Sequence, residues 1–172
     1  RSPDSSLATN LSALSGMVVE RHADIGIAFD GDGDRVSFVD ETGSFLDADT
    51  GVAVLAAHIP GGVAGEKVVL DVKCSQCAHD VVASCGGIPL SEKSGHTFIR
   101  ARMAVEDAKL GGEVSGHYFY RNLGYADDGM YTALLMIHIV STAGKLSELR
   151  AAVPHYFTTP DIRLHTDNSP RV

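Results

Sequence analysis

Residues 24–36 read DIGIAFDGDGDRV. Ile25, Ile27 and Phe29 alternate with the small Gly26 and Ala28, which predicts a buried strand. Where that strand ends, Asp30, Asp32 and Asp34 alternate with two glycines and Arg35 follows. Open α/β sheets carry their ligand loops at such strand ends. Three like charges in five positions repel one another unless some are protonated or a cation neutralises them. A donor set made only of oxygens selects a hard ion, Mg²⁺ or Ca²⁺, and the glycines let successive carboxylates turn toward one point. Asp30, Asp32, Asp34 and Glu41 also meet the spacing of an EF-hand. That loop, however, requires glycine where Arg35 stands, and the flanks here read as strands. A merely solvated acidic turn has no need of three carboxylates with an arginine directly behind them. The reading that fits best is a Mg²⁺ loop at a strand end, with Arg35 placed to meet a phosphate oxygen bidentately.

Working outward, strand and helix alternate along the chain. Leu11, Leu14 and Val18 share one helical face before the loop. VSFVD and SFL follow it as two short strands turned at Gly43. Asp47 or Asp49 is placed to cap a helix through VAVLAAHI, which Pro60-Gly61-Gly62 ends. KVVLDV (67–72) reads as a strand. Ser75 is placed to cap a helix with Ala78, Val81, Val82 and Cys85 on one face, stopped by Gly86-Gly87. IPL (88–90) is a short strand. The next helix turns Phe98, Ala101, Val105 and Ala108 inward and stops at Gly111-Gly112, and residues 113–121, EVSGHYFYR, are extended. Asp127 and Asp128 precede a helix with Met130, Ala133, Leu134, Ile137 and Val140 inward, and LSELRAAV makes a last short helix. The sum is an α/β pattern. A boundary near residues 43–50 separates a first segment, too small to bury a core alone, from a second, nearly complete unit.

A second constellation lies in GEVSGH (112–117). In an extended segment Glu113, Ser115 and His117 project to one face, a row of acceptor, hydroxyl and imidazole suited to a polyhydroxylated ligand; the same row is equally expected of a polar surface strand. In KSGHT (93–97), Gly95 and His96 stand at a loop leading into a helix, whose free N–H groups suit an anion. Lys73, in DVKCS (71–75), stands at another strand-to-helix turn, which makes a phosphate pocket plausible. Cys74 and Cys77 form a CxxC with His79 and Cys85 nearby, but a helix spreads them too far for a zinc site, and buried structural thiols fit better.

Composition bounds the rest. The 172 residues carry 14 Lys+Arg against 22 Asp+Glu, a formal net charge of -8, which argues against a nucleic-acid or anionic-membrane surface. No apolar run is long enough to span a membrane, and the N-terminal residues lack the pattern of a secretory signal. Three cysteines are too few, and odd in number, for a disulfide scaffold, so a cytoplasmic protein with reduced thiols is expected.

FDGDGDR, KSGHT, GEVSGH and DDGMYTALLM (127–136), in part or in whole, resemble the α-D-phosphohexomutases, above all the phosphomannomutase/phosphoglucomutase branch. The resemblance covers nearly the whole chain. It implies a mixed-sheet α/β domain of phosphohexomutase type, preceded by the C-terminal part of a second, similar domain. Residues 1–45 would be the end of metal-binding domain 2, residues 46–157 sugar-recognition domain 3, and residues 158–172 the linker into domain 4. Domains 1 and 4 of the same polypeptide would be missing partners, since neither a Thr-Ala-Ser-His-Asn-Pro-type serine loop nor a Ser-Gly-Thr-Glu-Pro-type phosphate loop occurs here. The resemblance implies Mg²⁺ held by Asp30, Asp32 and Asp34, with Arg35 beside the phosphoserine. It implies sugar-hydroxyl contacts from Glu113 and Ser115, proton transfer by His117, and a hexose phosphate pocket lined by Lys73, Gly95 and His96. The implied reaction is reversible conversion of mannose or glucose 6-phosphate to 1-phosphate through a phosphoserine and a bisphosphorylated intermediate, with the fragment inactive alone. Val114, where phosphoglucosamine mutases commonly show Gln, leans away from amino-sugar phosphates. A non-catalytic sugar-phosphate or metal-binding module is the alternative from another class.

Overall fold

The computed structural model describes residues 8–157, so the expected start of a further domain at residues 158–172 lies outside the described residues. After a single 3-10 turn, α1 (Ser12–Arg21) leads into an antiparallel three-stranded sheet, β1 (Ile25–Phe29), β2 (Val36–Asp40) and β3 (Phe45–Leu46), in that order. Then come α2 (Ala48–His58), β4 (Lys67–Asp71), α3 (Gln76–Ser84), β5 (Ile88–Glu92), α4 (His96–Glu106), β6 (Leu110–Gly112), β7 (Tyr118–Tyr120), β8 (Ala126–Asp127), α5 (Gly129–Ala143) and α6 (Leu146–Ala152). The second sheet has the order β5-β4-β6-β7-β8; β4 is parallel to β5 and β6, and the β6-β7 and β7-β8 pairs are antiparallel. The fold is therefore mixed α/β.

Helices cover both faces of the larger sheet. Alternate residues of β4 point to opposite sides: Val68 and Leu70 join the main core with α2, α3 and α5, while Val69 packs with Phe119, Ile99 and Met103 under α4. Val36 and Phe38 of the small sheet enter that same main core, and Val39 turns the other way onto Leu11 and Val18. One apolar core thus joins the two sheets, and it holds the strand ends that carry the aspartate loop against the larger unit.

Several local expectations are corrected. The face of α4 is Ile99 and Met103, both fully buried; Phe98 is exposed and Val105 is 82% exposed. Gly111-Gly112 do not stop that helix, which ends with Asp107 in the left-handed conformation. They lie inside β6, where a Cβ on Gly112 would come 2.1 Å from a Val52 methyl and one on Gly111 2.5 Å from the Met103 sulfur. Glycine is there so that α2 and α4 can approach the sheet closely. On α5 the buried residues are Gly129, Thr132, Ala133, Met136 and Ile139, whereas Met130 and Leu134 are 66% and 62% exposed and Ile137 is also exposed. On α4 the apolar Phe98, Ala101 and Val105 share one helical spacing and Ile99 and Met103 another, and α5 is apolar over most of its surface, so periodicity alone leaves both rotations undetermined. Asp47 and Ser75 occupy N-cap positions without side-chain capping bonds. Instead Asp49 accepts from the Ser75 N–H at 3.1 Å. Phe29, expected to be buried, is exposed at the end of β1.

Candidate functional site

The aspartate loop turns back on itself between β1 and β2. Asp30 Oδ1 accepts from the N–H groups of Gly33 (3.1 Å) and Arg35 (3.2 Å), and its Oδ2 accepts from Arg35 Nε at 2.7 Å. Burial acts to raise the Asp30 pKa, but the Arg35 hydrogen bonds and charge and the Gly33 N–H outweigh it and leave it lowered. Asp30, Asp32 and Asp34 each offer an oxygen within 4.8 Å of the others, and Asp34 Oδ1 is buried without a hydrogen-bond partner. Three converging carboxylates with an orphaned oxygen fit a hard divalent cation. Arg35 lies against Asp30, 3.9 Å from Asp34 by its Nε.

Residues 113–117 are not extended. They form a tight turn joining β6 to β7, in which Gly116 N–H donates to Glu113 O, Glu113 N–H donates to His117 O, and Gly116 takes a φ of +94°. The three polar side chains still converge, by turn geometry rather than strand alternation. Ser115 Oγ lies 2.7 Å from His117 Nδ1, and Glu113 Oε2 lies 3.5 Å from the same nitrogen. The adjacent His117 ring and its charge, working against burial, lower the Glu113 pKa. At His117 burial acts downward, but the Glu113 carboxylate 3.5 Å away and the charges of Asp34 and Asp127 together leave its pKa raised.

This turn meets the aspartate loop directly. Arg35 and His117 form an isolated antiparallel bridge, Val36 N–H donates to Gly116 O at 3.1 Å, and His117 Nε2 stands 3.5 Å from Asp34 Oδ2. His96, at the start of α4, bonds Asp127 Oδ1 through Nε2 at 3.0 Å, and its ring centroid is 5.8 Å from that of His117. Gly95 precedes it with a φ of +128°, a conformation that favours glycine. Lys73 lines an adjacent cleft of about 310 Å³ with Asp49, Ser75, Val114 and Gly116, and so shares with the 113–117 turn a cleft that His117 does not line. Asp34, Arg35, Gly95, His96, Glu113, Ser115 and His117 are thus brought together, with Lys73 at the margin.

Two further residues belong to the constellation and escaped sequence reading. Asp127, read there only as a residue preceding a helix, has its side chain turned to His96 and His117; the helix cap is Asp128, which accepts from Tyr131 N–H at 2.8 Å. Asp71, at the end of β4, is fully buried and accepts from Lys73 N–H (3.0 Å), Ser94 Oγ (2.5 Å) and Val114 N–H (3.4 Å). It ties the three ligand loops of the larger sheet to one carboxylate. An aspartate ending an apolar strand before a turn is the one signal that marked it. Cys74 and Cys77 are buried free thiols; Ser75 Oγ lies 2.7 Å from Cys77 Sγ, and Cys77 forms part of the wall of the cleft beside Lys73.

Two sequence families match, in this order: phosphoglucomutase/phosphomannomutase alpha/beta/alpha domain II over residues 1–43, and domain III over residues 47–157. The chain belongs to the phosphoglucomutase/phosphomannomutase family. Phosphohexomutases are metal-dependent enzymes, in keeping with the carboxylate loop. The phosphomannomutase/phosphoglucomutase of Pseudomonas putida is 38% identical over 164 residues, 94% of this chain and 35% of that protein. A phosphomannomutase of Vibrio cholerae is 43% identical over 130 residues, 76% of this chain and 28% of its own length. A crystal structure of a phosphoglucomutase/phosphomannomutase family protein from Burkholderia thailandensis superposes with a TM-score of 0.85 at 33% identity, covering 92% of this chain and 35% of that one. The chain therefore spans about a third of the length of these phosphohexomutases. Among the described residues no helix is long and apolar enough to cross a membrane.

Proposed function

We propose that this chain is the metal-binding and sugar-recognition portion of a cytoplasmic phosphohexomutase that interconverts the 6- and 1-phosphates of glucose and mannose. The observation that carries the reading is the junction of the aspartate loop with the 113–117 turn, where Asp34 and His117 stand 3.5 Å apart. A cation site thereby adjoins a proton-transfer group and a hydroxyl-binding row, the combination that moving a phosphoryl group on a sugar requires. In this reading Asp30, Asp32 and Asp34 hold Mg²⁺, which when bound offsets charge on the transferring phosphoryl group. Arg35 lies beside the phosphoserine supplied by a part of the polypeptide outside this chain. Glu113 and Ser115 contact sugar hydroxyls, and His117, held at Nδ1 by Ser115 and Glu113, takes or returns the hydroxyl proton at Nε2. Lys73, Gly95 and His96 line the sugar-phosphate pocket, and residues 158–172 lead to the fourth domain.

Val114 packs its side chain against the main core and lines the cleft beside Lys73. An apolar side chain there supports a neutral hexose over an amino sugar. The test is turnover of glucose, mannose and glucosamine phosphates by the polypeptide that joins this chain to a serine-bearing domain and a phosphate-clamping domain. Activity on the first two, lost in His117→Asn and absent from the 172-residue chain alone, is expected. Turnover by the isolated chain at the rate of the joined protein, or preference for glucosamine phosphate, refutes it.

A further inference from the structure

Asp34, His117 and Asp127 offer Oδ, Nε2 and Oδ atoms that all lie within 4.8 Å of one another. They come from three separate elements: the aspartate loop, the end of the 113–117 turn, and β8. Only Asp34 belongs to the all-carboxylate loop. We propose that these three side chains form a second cation site, one that takes a borderline transition ion of the Zn²⁺ or Co²⁺ class.

Four observations carry this. First, His117 Nε2 is 3.5 Å from Asp34 Oδ2 and 3.8 Å from Asp127 Oδ2. Donors at about 2.0–2.2 Å from a tetrahedral ion stand roughly 3.4 Å apart, so modest movement closes the set. Second, the Asp127 side chain is only 8% exposed, and its Oδ2, facing His117, is buried with no hydrogen-bond partner. A buried carboxylate oxygen left unpaired is costly unless something positive completes it. Third, the outer supports of a metal site are already in place. Ser115 Oγ and Glu113 Oε2 face His117 Nδ1, which fixes the ring and directs Nε2 at the carboxylates. His96 Nε2 bonds the other oxygen of Asp127 at 3.0 Å. Ligating imidazoles nearly always have such a partner on the second nitrogen. Fourth, one imidazole with two carboxylates suits Zn²⁺ or Co²⁺, whereas Mg²⁺ prefers the oxygen-only set of the loop. An ion held here occupies Nε2, so its binding and proton transfer at that nitrogen exclude each other. The site rests on this geometry and not on the mutase reading.

The experiment is a Co²⁺ titration of the chain followed by its visible absorption, with Zn²⁺ competition, alongside long-range ¹H–¹⁵N spectra of the histidine rings. Native chain and Asp32→Asn are expected to give the same nitrogen-bearing Co²⁺ spectrum and the same Zn²⁺-induced shift of the His117 ring. Asp127→Asn and His117→Gln are expected to lose the spectrum, with affinity down by at least about tenfold. Ser115→Ala, which leaves every ligand in place, is expected to weaken binding less than either. Far-ultraviolet circular dichroism of each variant without metal establishes that it is folded. Binding that disappears in Asp32→Asn but persists in Asp127→Asn assigns the ion to the carboxylate loop and overturns the proposal, as does an unshifted His117 ring at saturating Zn²⁺.

Discussion

Gly129 is the first residue of α5, and it sits where the aspartate loop touches the larger unit. A Cβ built on it would lie 2.5 Å from the carbonyl oxygen of Gly33 and 3.2 Å from backbone atoms of Arg35. The obstacle is backbone, so no rotamer change relieves it, and the loop must retreat by about 1 Å to restore ordinary contact. Alanine is the better helix former, by about 1 kcal/mol in a helix interior and by less at this first position, which favours the substitution. Overpacking against an unyielding neighbour costs about 1–3 kcal/mol and sometimes more, and the retreat also strains the Arg35–His117 bridge. The steric effect wins, and Gly129→Ala is expected to destabilise the chain by about 1–2 kcal/mol. At about 2–4 °C per kcal/mol for a chain of this size, Tm falls by roughly 2–8 °C in a calorimetric scan. Gly16, exposed inside α1 with nothing within 4 Å of its would-be Cβ, is the internal control. There the propensity gain stands alone, and Gly16→Ala is expected to raise Tm slightly. If Gly129→Ala melts at or above the native temperature, the loop is not braced against α5 and the reasoning fails.

Asp71→Asn leaves one acceptor oxygen where a carboxylate served three donors, and a loss of about 1.5–3 kcal/mol is expected; an unchanged Tm would show that Asp71 does not tie the three loops. Burial pushes the Cys74 thiol pKa well up, helped by Asp49 and Asp71, and burial also raises that of Cys77. A thiol reagent under native conditions is therefore expected to label the partly exposed Cys85 first, with Cys74 modified only on unfolding, as mapped by mass spectrometry. Glu66 holds Arg121 through both oxygens, at 2.9 and 3.0 Å, and the arginine hydrogen bonds lower its pKa below the ordinary 4.5. A depressed carboxylate pKa stabilises above the unfolded value, and that stability fades as pH falls through the folded one. Arg121→Met is thus expected to cost below about 1 kcal/mol at pH 7, given the pair's exposure. The Tm gap to the native chain should narrow as pH drops below 4.5, and a gap that widens would contradict the assigned sign.

The turn at residues 113–117 shows how a right set of residues can rest on a wrong local geometry. Glu113, Ser115 and His117 converge as expected, yet Gly116 at positive φ folds them into a hairpin turn. A strand and a tight turn can each bring residues two apart to one side, so spacing alone does not separate them. Asp127 was missed for the opposite reason. Two adjacent aspartates before a helix offer one cap, and which of them is left to serve the site depends on β8 pairing with β7, a contact between distant segments. The rotations of α4 and α5 failed likewise, because several apolar faces compete and only packing selects one.

By itself the sequence determined the alternation of strands and helices, the carboxylate loop at a strand end, and the ordered motifs that mark the family. These are local matters of side-chain period, turn chemistry and charge repulsion, carried by residues close in the chain. Only the tertiary structure decided that the loop and the 113–117 turn share a backbone bridge, that Asp71 serves three loops at once, and that Asp127 presents a buried, unpaired oxygen to His117. Those relations join residues tens of positions apart, and they exist only once a common apolar core has set the two sheets side by side.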